Sequence, residues 1–292
     1  METEHWRALL TALDTGSLSA AGEALGYTVS GISRSVAALE RQLGYPLLYR
    51  SKQGVAPTPA CAQLLPLARE LLYAQDKLAQ TSAEILGCEQ GTIGIGTAYR
   101  YYYPWIARVT SAFHSLHPGI QFHIVNGIST DLAHQLDRHE LDFCIISARE
   151  GEHSWLPLCR DPLLAVVPAE HPLAKRQSVP FAALLPEPYI RTCPGLDIDS
   201  ARFFAHRGAE PDTRFTTADI QVTYAMVGAG LGYTVTNAIN SSPQDTAVRH
   251  LPIEPPEIIE IGLAHCRDAA PAVKSFLKFI RPQLPAAPQT AL

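Results

Sequence analysis

Two short helices joined by a tight turn near the N-terminus limit this chain more than any other stretch. Residues 28–43, TVSGISRSVAALERQL, carry Ile32, Val36, Leu39 and Leu43 at helical spacing, one apolar stripe on a polar helix. Thr28 stands where its hydroxyl can accept a free backbone N–H of the first turn, and Gly44 ends the helix. Before it, Ser17 or Ser19 caps a short helix over Ala20–Leu25, closed by Gly26, and Tyr27 makes the turn. Ala20, Ala21 and Gly22 are small enough for close approach, which makes the pair a helix-turn-helix. A helix over His5–Thr15 precedes the pair, with Trp6, Leu9, Leu10 and Leu13 on one face. Ser30, Ser33, Arg34 and Arg41 fall off the apolar stripe of the last helix; short donors and cations on an exposed helix suit a DNA groove. Packing and solvation alone would give a similar pattern, so the flanks decide.

After Gly44, Leu47–Tyr49 and Val55–Ala56 read as two short strands around the polar turn Ser51–Gly54, a hairpin with Arg50 and Lys52 at its edge. Such an edge suits phosphate or minor-groove contact. Thr58-Pro59 then opens a long helix to about Leu86, a cap followed by proline at the first helical position. Its stripe, Leu64, Leu65, Ala68, Leu71, Leu72, Leu78 and Ile85 among others, is wide enough to ask for a partner helix, with Pro66 able to bend it. From Thr92 the pattern becomes β-α-β-α-β: strands at Ile93–Ile95, Ile120–Val125 and Leu141–Ile146, helices at Tyr102–His117 and Thr130–His139. Further strands are expected at Leu163–Val167, Tyr189–Arg191, Gly230–Val235 and Glu257–Ala264, and helices at Ile198–His206, Ile220–Gly228 and Ala272–Ile280. Pro168–Pro188 holds five prolines and reads as loop around the short helix Phe181–Leu185.

Length and charge narrow the function classes. The 292 residues allow two or three compact units. A net charge of −5 argues against non-specific nucleic-acid binding by the whole chain, yet residues 28–58 are locally basic, and a dimer would be needed to gather enough phosphate contacts. No apolar run approaches a membrane span and no signal-peptide core opens the chain, so a cytoplasmic protein without membrane attachment is expected. The six cysteines form no CxxC pair, and the histidines, His114 and His117 included, lack a clear third ligand; no metal and no cofactor is expected. Nucleophile elbow, P-loop and dinucleotide fingerprint are all absent, which argues against an enzyme.

The run SLSAAGEALGYTVSGISRSVAALERQLGYPLLYRSKQGVAPT resembles the DNA-binding part of LysR-type transcriptional regulators. Asn126-Gly127-Ile128-Ser129, Leu141-Asp142 with Ile145, and Gly228-Ala229-Gly230-Leu231-Gly232 resemble elements of that family's effector part, so the likeness covers nearly the whole chain. The resemblance implies an α/β protein with an all-α, winged N-terminal part: a winged helix-turn-helix (1–58), a linker and dimerisation helix (59–87), a hinge (88–91) and a two-lobed, periplasmic-binding-protein-like effector domain (92–292). Lobe 1 is expected over about 92–160 and 266–292, lobe 2 over about 161–265. It further implies a homodimer, commonly a tetramer, that binds double-stranded operator DNA and answers to a small-molecule effector. Thr28, Ser30, Ser33 and Arg34 would face DNA, with Arg50 and Lys52 on the wing. Val29 stands where relatives often have glutamine, so an amide able to read adenine is replaced by a side chain that can only touch a thymine methyl. The competing reading is a non-catalytic solute-binding or protein-interaction module that has lost DNA binding.

In such two-lobed domains ligands sit between lobes, at strand ends and helix N-termini. Three rims qualify: Thr97–Arg100, Ser129 at the start of a helix, and Cys193-Pro194-Gly195 before another, with Thr234 on the late strand. Helix N-termini favour an anion and Arg100 could add a bidentate contact, so an anionic or aromatic effector is expected. The aromatic run Tyr99–Tyr103 and Trp105 either lines a pocket for a ring or sits half in the core. Cys193 reads as a small pocket or core residue rather than half of a redox pair.

Overall fold

A computed structural model describes residues 2–51, 53–85, 90–241 and 246–285. The chain forms two compact units, residues 1–89 and 90–292. Lys52, the expected helix end at Gly87 and the first half of the expected hinge lie outside the described residues.

In the first unit, α1 (Thr3–Asp14), α2 (Leu18–Leu25) and α3 (Val29–Leu43) precede a hairpin of β1 (Leu48–Ser51) and β2 (Gly54–Pro57), and then α4 (Pro59–Ile85). Local chemistry sets each boundary. Ser17 accepts from the amides of Ser19 and Ala20 to start α2, two residues earlier than expected. Thr28 accepts from Gly31 N at 3.1 Å to start α3, and Thr58 from Cys61 N at 3.1 Å to start α4. The α2–α3 turn is close: a Cβ on Gly22 would stand 2.7 Å from the Tyr27 carbonyl. Trp6, Leu9, Val36, Leu39, Leu47 and Leu72 meet in one core. α4 continues through Pro66 and buries Cys61, Ala68 and Leu72, while Leu67, Leu71, Leu78 and Ile85 stay exposed.

In the second unit, β3 (Gly91–Thr97), α5 (Tyr103–Leu116), β4 (Ile120–Asn126), α6 (Ser129–Asp137) and β5 (Phe143–Ser147) build the first lobe, in the expected β-α-β-α-β order. There follow β6 (Ser154–Pro168), β7 (Val179–Pro180), α7 (Phe181–Leu184), β8 (Tyr189–Thr192), α8 (Asp199–His206), β9 (Thr213–Thr217) and α9 (Ile220–Gly228). The chain ends with β10 (Thr234–Asn237), β11 (Val248–Glu254), β12 (Ile258–His265) and α10 (Pro271–Ile280). β3 pairs in parallel with β4 and β5, and β12 adds antiparallel to β5. Phe113 of α5 and Phe276 of α10 pack on one face of this sheet, Leu132 and Leu136 of α6 on the other. In the second lobe Phe203 and Phe204 of α8 cover one face of the strands and Tyr224 and Val227 of α9 the other.

Two boundaries differ from expectation. β12 lies beside β5, and its Ile261 and Leu263 belong to the first lobe's core, so residues 258–265 join lobe 1 and not lobe 2. β6 runs through both lobes: Ser154–Pro162 pairs with β12, and Leu163–Pro168 with β10 and β11. Only its second half reads as a strand in the sequence, because Pro157 and Pro162 interrupt the pattern. No described helix is long and apolar enough to cross a membrane.

Candidate nucleic-acid interface and ligand cleft

The start of α3 carries the first cluster. Thr28, Val29, Ser30 and Arg34 are exposed and Ser33 is half-buried. Thr28 bonds the Ser30 hydroxyl at 3.0 Å besides capping, and Arg34 Nε donates to the Ser30 carbonyl at 3.3 Å. Arg50 on β1 reaches back to α3: Nη1 donates to Ser33 Oγ at 3.0 Å and Nη2 stands 3.7 Å from Glu40. Glu40 also accepts from the amides of Leu47 and Leu48 at 2.8 and 3.3 Å. One carboxylate thus fixes the root of the hairpin and the cation on it. In the sequence the one signal for Glu40 is that it stands as a lone acid in a basic stretch.

The second site is a cleft between the lobes of the second unit, a cavity of about 290 Å³. Asp199, the first residue of α8, is 7% exposed and accepts four hydrogen bonds. Ser147 Oγ and Arg149 Nη2 donate to Oδ1 at 2.7 and 3.0 Å. Tyr99 Oη and Asn237 Nδ2 donate to Oδ2 at 2.9 and 3.1 Å. Tyr99, Ser147 and Arg149 come from the first lobe, so three of the four bonds cross the cleft. Burial, then the Asp199 charge, pushes the Tyr99 hydroxyl well above its usual range, so it stays protonated and donates. Arg149 Nε donates to Thr130 Oγ1 at 2.9 Å. Asp197 accepts from Thr130 at 2.9 Å and from Arg202, whose guanidinium, with help from Thr130, holds the carboxyl down to about 2. The Ser147 amide donates to Ser129 Oγ at 3.1 Å, and the two hydroxyl oxygens stand 2.9 Å apart, where the Ser129 hydroxyl donates to Ser147 Oγ.

Of the expected effector residues, Tyr99, Arg100, Ser129 and Cys193 line this cavity. Arg100 stands 3.6 Å from Asp219, the cap of α9, at the exposed rim. Cys193 has φ +50° and donates to the Ala218 carbonyl at 3.3 Å; burial, then Asp219, pushes its thiol up, away from the reactive thiolate. Thr97 does not line the cavity: it is 1% exposed and bonds the Tyr99 backbone. Thr234 is fully buried and donates to the Ile190 carbonyl, a strand-to-strand tie. Pro194 and Gly195 form the exposed turn before α8, with Gly195 at φ +81°, outside the main cavity. Tyr102 and Trp105 are core residues, the indole donating to the Gln283 carbonyl at 2.8 Å. Arg149, Asp199 and Asn237 were missed. The charges of Arg149 and Asp199 lie fifty residues apart in sequence, Asn237 a further 38 along, and nothing local marks the three as partners. The positive end of α8, expected to wait for an anion, is met by Asp199 itself.

The family described as LysR substrate binding domain matches residues 87–285, about two-thirds of the chain, and the bacterial regulatory helix-turn-helix protein, lysR family, matches residues 3–62. The chain belongs to the LysR family. It is therefore a DNA-binding transcriptional regulator with an effector-binding domain, in a family that is not one of enzymes. Among curated LysR-type relatives, the Hca operon transcriptional activator HcaR of Escherichia coli K12 is 26% identical, over 97% of this chain and 98% of its own. The HTH-type regulator YvbU of Bacillus subtilis is also 26% identical, over 96% and 98%. Among solved structures, a full-length OxyR variant from Pseudomonas aeruginosa shares the fold with a TM-score of 0.70 at 21% identity, covering 96% of this chain and 95% of that one. The effector-binding domain of QuiR in complex with shikimate has a TM-score of 0.54 at 24% identity, covering 65% of this chain and 95% of that one.

Proposed function

We propose that this LysR regulator reads an operator through Thr28, Ser30, Ser33 and Arg34 on α3 with Arg50 on the hairpin, and that a small molecule in the inter-lobe cleft governs the outcome. The observation that carries the reading is the Asp199 cluster, buried yet facing a cavity of about 290 Å³, with donors from both lobes on one carboxylate. A ligand that binds there changes how tightly the lobes are held, and so shifts the population of DNA-bound arrangements without catalysis. The exposed leucines of α4 support a homodimer through that helix, and tetramers would form from two such dimers. A basic reading face paired with a metabolite-sized cavity fits a cytoplasmic regulator.

The test is a footprint of the full chain on the DNA upstream of its own gene and its divergent neighbour, across a salt series and a metabolite panel. A dyad-symmetric footprint that changes length with one metabolite is expected. A folded dimer that protects no specific sequence at low salt there, or in a genome-wide binding map, would sink the reading and leave an interaction module.

A further inference from the structure

We propose that the cleft takes a zwitterion, an α-amino acid, seated by insertion into the Arg149–Asp199 ion pair; this rests on reading the cleft as a ligand site. Two formal charges face the cavity from buried positions. The side chains of Arg149 and Asp199 are 5% and 7% exposed, 3.0 Å apart, one from each lobe. They balance each other, and so do Arg100 and Asp219 at the rim. A bound monoanion leaves the enclosed part of the site with one excess negative charge, and a bound monocation with one excess positive charge. Uncompensated charge in a buried site is strongly disfavoured. A zwitterion alone among charged ligands leaves the balance unchanged.

The hydrogen bonds favour the same ligand. All four acceptor positions of the Asp199 carboxylate are filled, by Ser147, Arg149, Tyr99 and Asn237. An entering ammonium must displace one donor. Arg149 is the donor with a replacement at hand, because the ligand's own carboxylate takes the Nη2 hydrogen bond that Asp199 gives up. The guanidinium stays in place during the exchange, held through Nε to Thr130 at 2.9 Å and through Nη1 to Ser147 and the Ala148 carbonyl at 2.8 and 2.9 Å. The start of α6 lines the same cavity, and Ile128 gives it no side-chain cap, so free backbone N–H groups add to the carboxylate seat. The amino and carboxylate groups of an α-amino acid share one carbon, so both reach two charges that are now in contact. Ala98, Ile128, Ile198, Ala218, Ile220 and Val235 also line the cavity, beside the polar Asn126, Thr192 and Thr236, and offer apolar contact to the ligand's side chain.

The experiment is titration calorimetry on the full-length chain with the twenty free L-amino acids. For any that bind, the N-acetyl derivative, the primary amide and the des-amino carboxylic acid follow. At least one free amino acid is expected to bind. Each derivative should lose at least about thirty-fold in affinity, the low end for removing one member of a buried charge pair. Asp199→Asn should cost a similar factor for the amino acid and less for the des-amino acid. If that variant does not fold, the wild-type derivative series decides alone. Equal affinity for the des-amino acid, or no binding by any of the twenty, overturns the proposal. The footprint read in parallel separates the two claims. A footprint that responds to a simple carboxylate while amino acids fail to bind removes the zwitterion and keeps the ligand-gated reading. An amino acid that binds without changing any footprint does the reverse.

Discussion

Replacing Asp161 by asparagine should change how the second unit's stability depends on pH. Asp161 sits on β6, is 1% exposed, and accepts from the Ile239 amide at 2.9 Å, holding the 3-10 turn Ala238–Asn240. Its other oxygen has no hydrogen-bond partner. Burial, aided by the Asp199 charge and opposed by the Ile239 amide, lifts the carboxyl from its ordinary 3.8 to about 7. Between those values the native state holds a proton that the unfolded chain has lost. Stability is therefore greatest below the unfolded value and falls as pH rises through the folded one. From pH 5 to pH 8 the loss is about 2–3 kcal/mol, or about 5–10 °C in Tm for a unit of this size. Asparagine removes this dependence while keeping an oxygen for Ile239. Its unpaired amide hydrogens carry a cost, but that cost is the same at every pH. The assay is a melt of wild type and Asp161→Asn across pH 5–8, read as the difference between them. The variant should gain about 5–10 °C relative to wild type between the two ends of the series. A difference that stays flat with pH would refute the reasoning.

Other substitutions separate the remaining roles. Arg34→Glu should abolish specific footprints while changing stability by no more than an exposed substitution does, about 0.5 kcal/mol, read from melts. Arg50→Ala should weaken binding similarly on all DNA sequences and reduce the salt slope by about one, measured by mobility shift at several ionic strengths. Thr58→Ala removes the α4 cap and the 2.9 Å bond to the Pro46 carbonyl; a loss of about 1–2 kcal/mol should appear in melts of the first unit. Leu78→Glu, at a side chain 71% exposed on α4, should weaken self-association in sedimentation without unfolding the helix.

Much of the first unit is legible in sequence because its signals are local. Thr28 and Thr58 cap the helices they precede, and Gly44 is left-handed at the end of α3 with φ +85°. Glu40 escapes that kind of reading, since its partners, the amides of Leu47 and Leu48 and the Arg50 guanidinium, come together only once the hairpin folds back. In the second unit the parallel core follows from apolar runs, while β9 and β11 are hidden. β9 buries no residue, and Pro252 breaks the run in β11. Thr97 and Thr234 sit at strand ends, as ligand residues often do, but their hydroxyls are consumed by backbone carbonyls and amides. Strand-end position predicts nearness to a cleft; it does not predict which side chains remain free to meet a ligand.

The continuity of β6 bears on which changes in chain length this architecture tolerates. Because successive side chains of a strand alternate faces, one residue inserted at the passage between lobes, near Asp161, would invert the facing of Leu163, Ala165 and Val167 against α8 while leaving the Ser154–Cys159 half undisturbed. Two inserted residues would restore parity but lengthen the span between the cores. The stretch 169–178, which follows the same strand, is anchored by the 3-10 turn Pro172–Lys175 with Leu173 in the core, but it carries no strand register and can vary in length around that turn. Related chains should therefore differ in length after Pro168 and keep the strand before it constant.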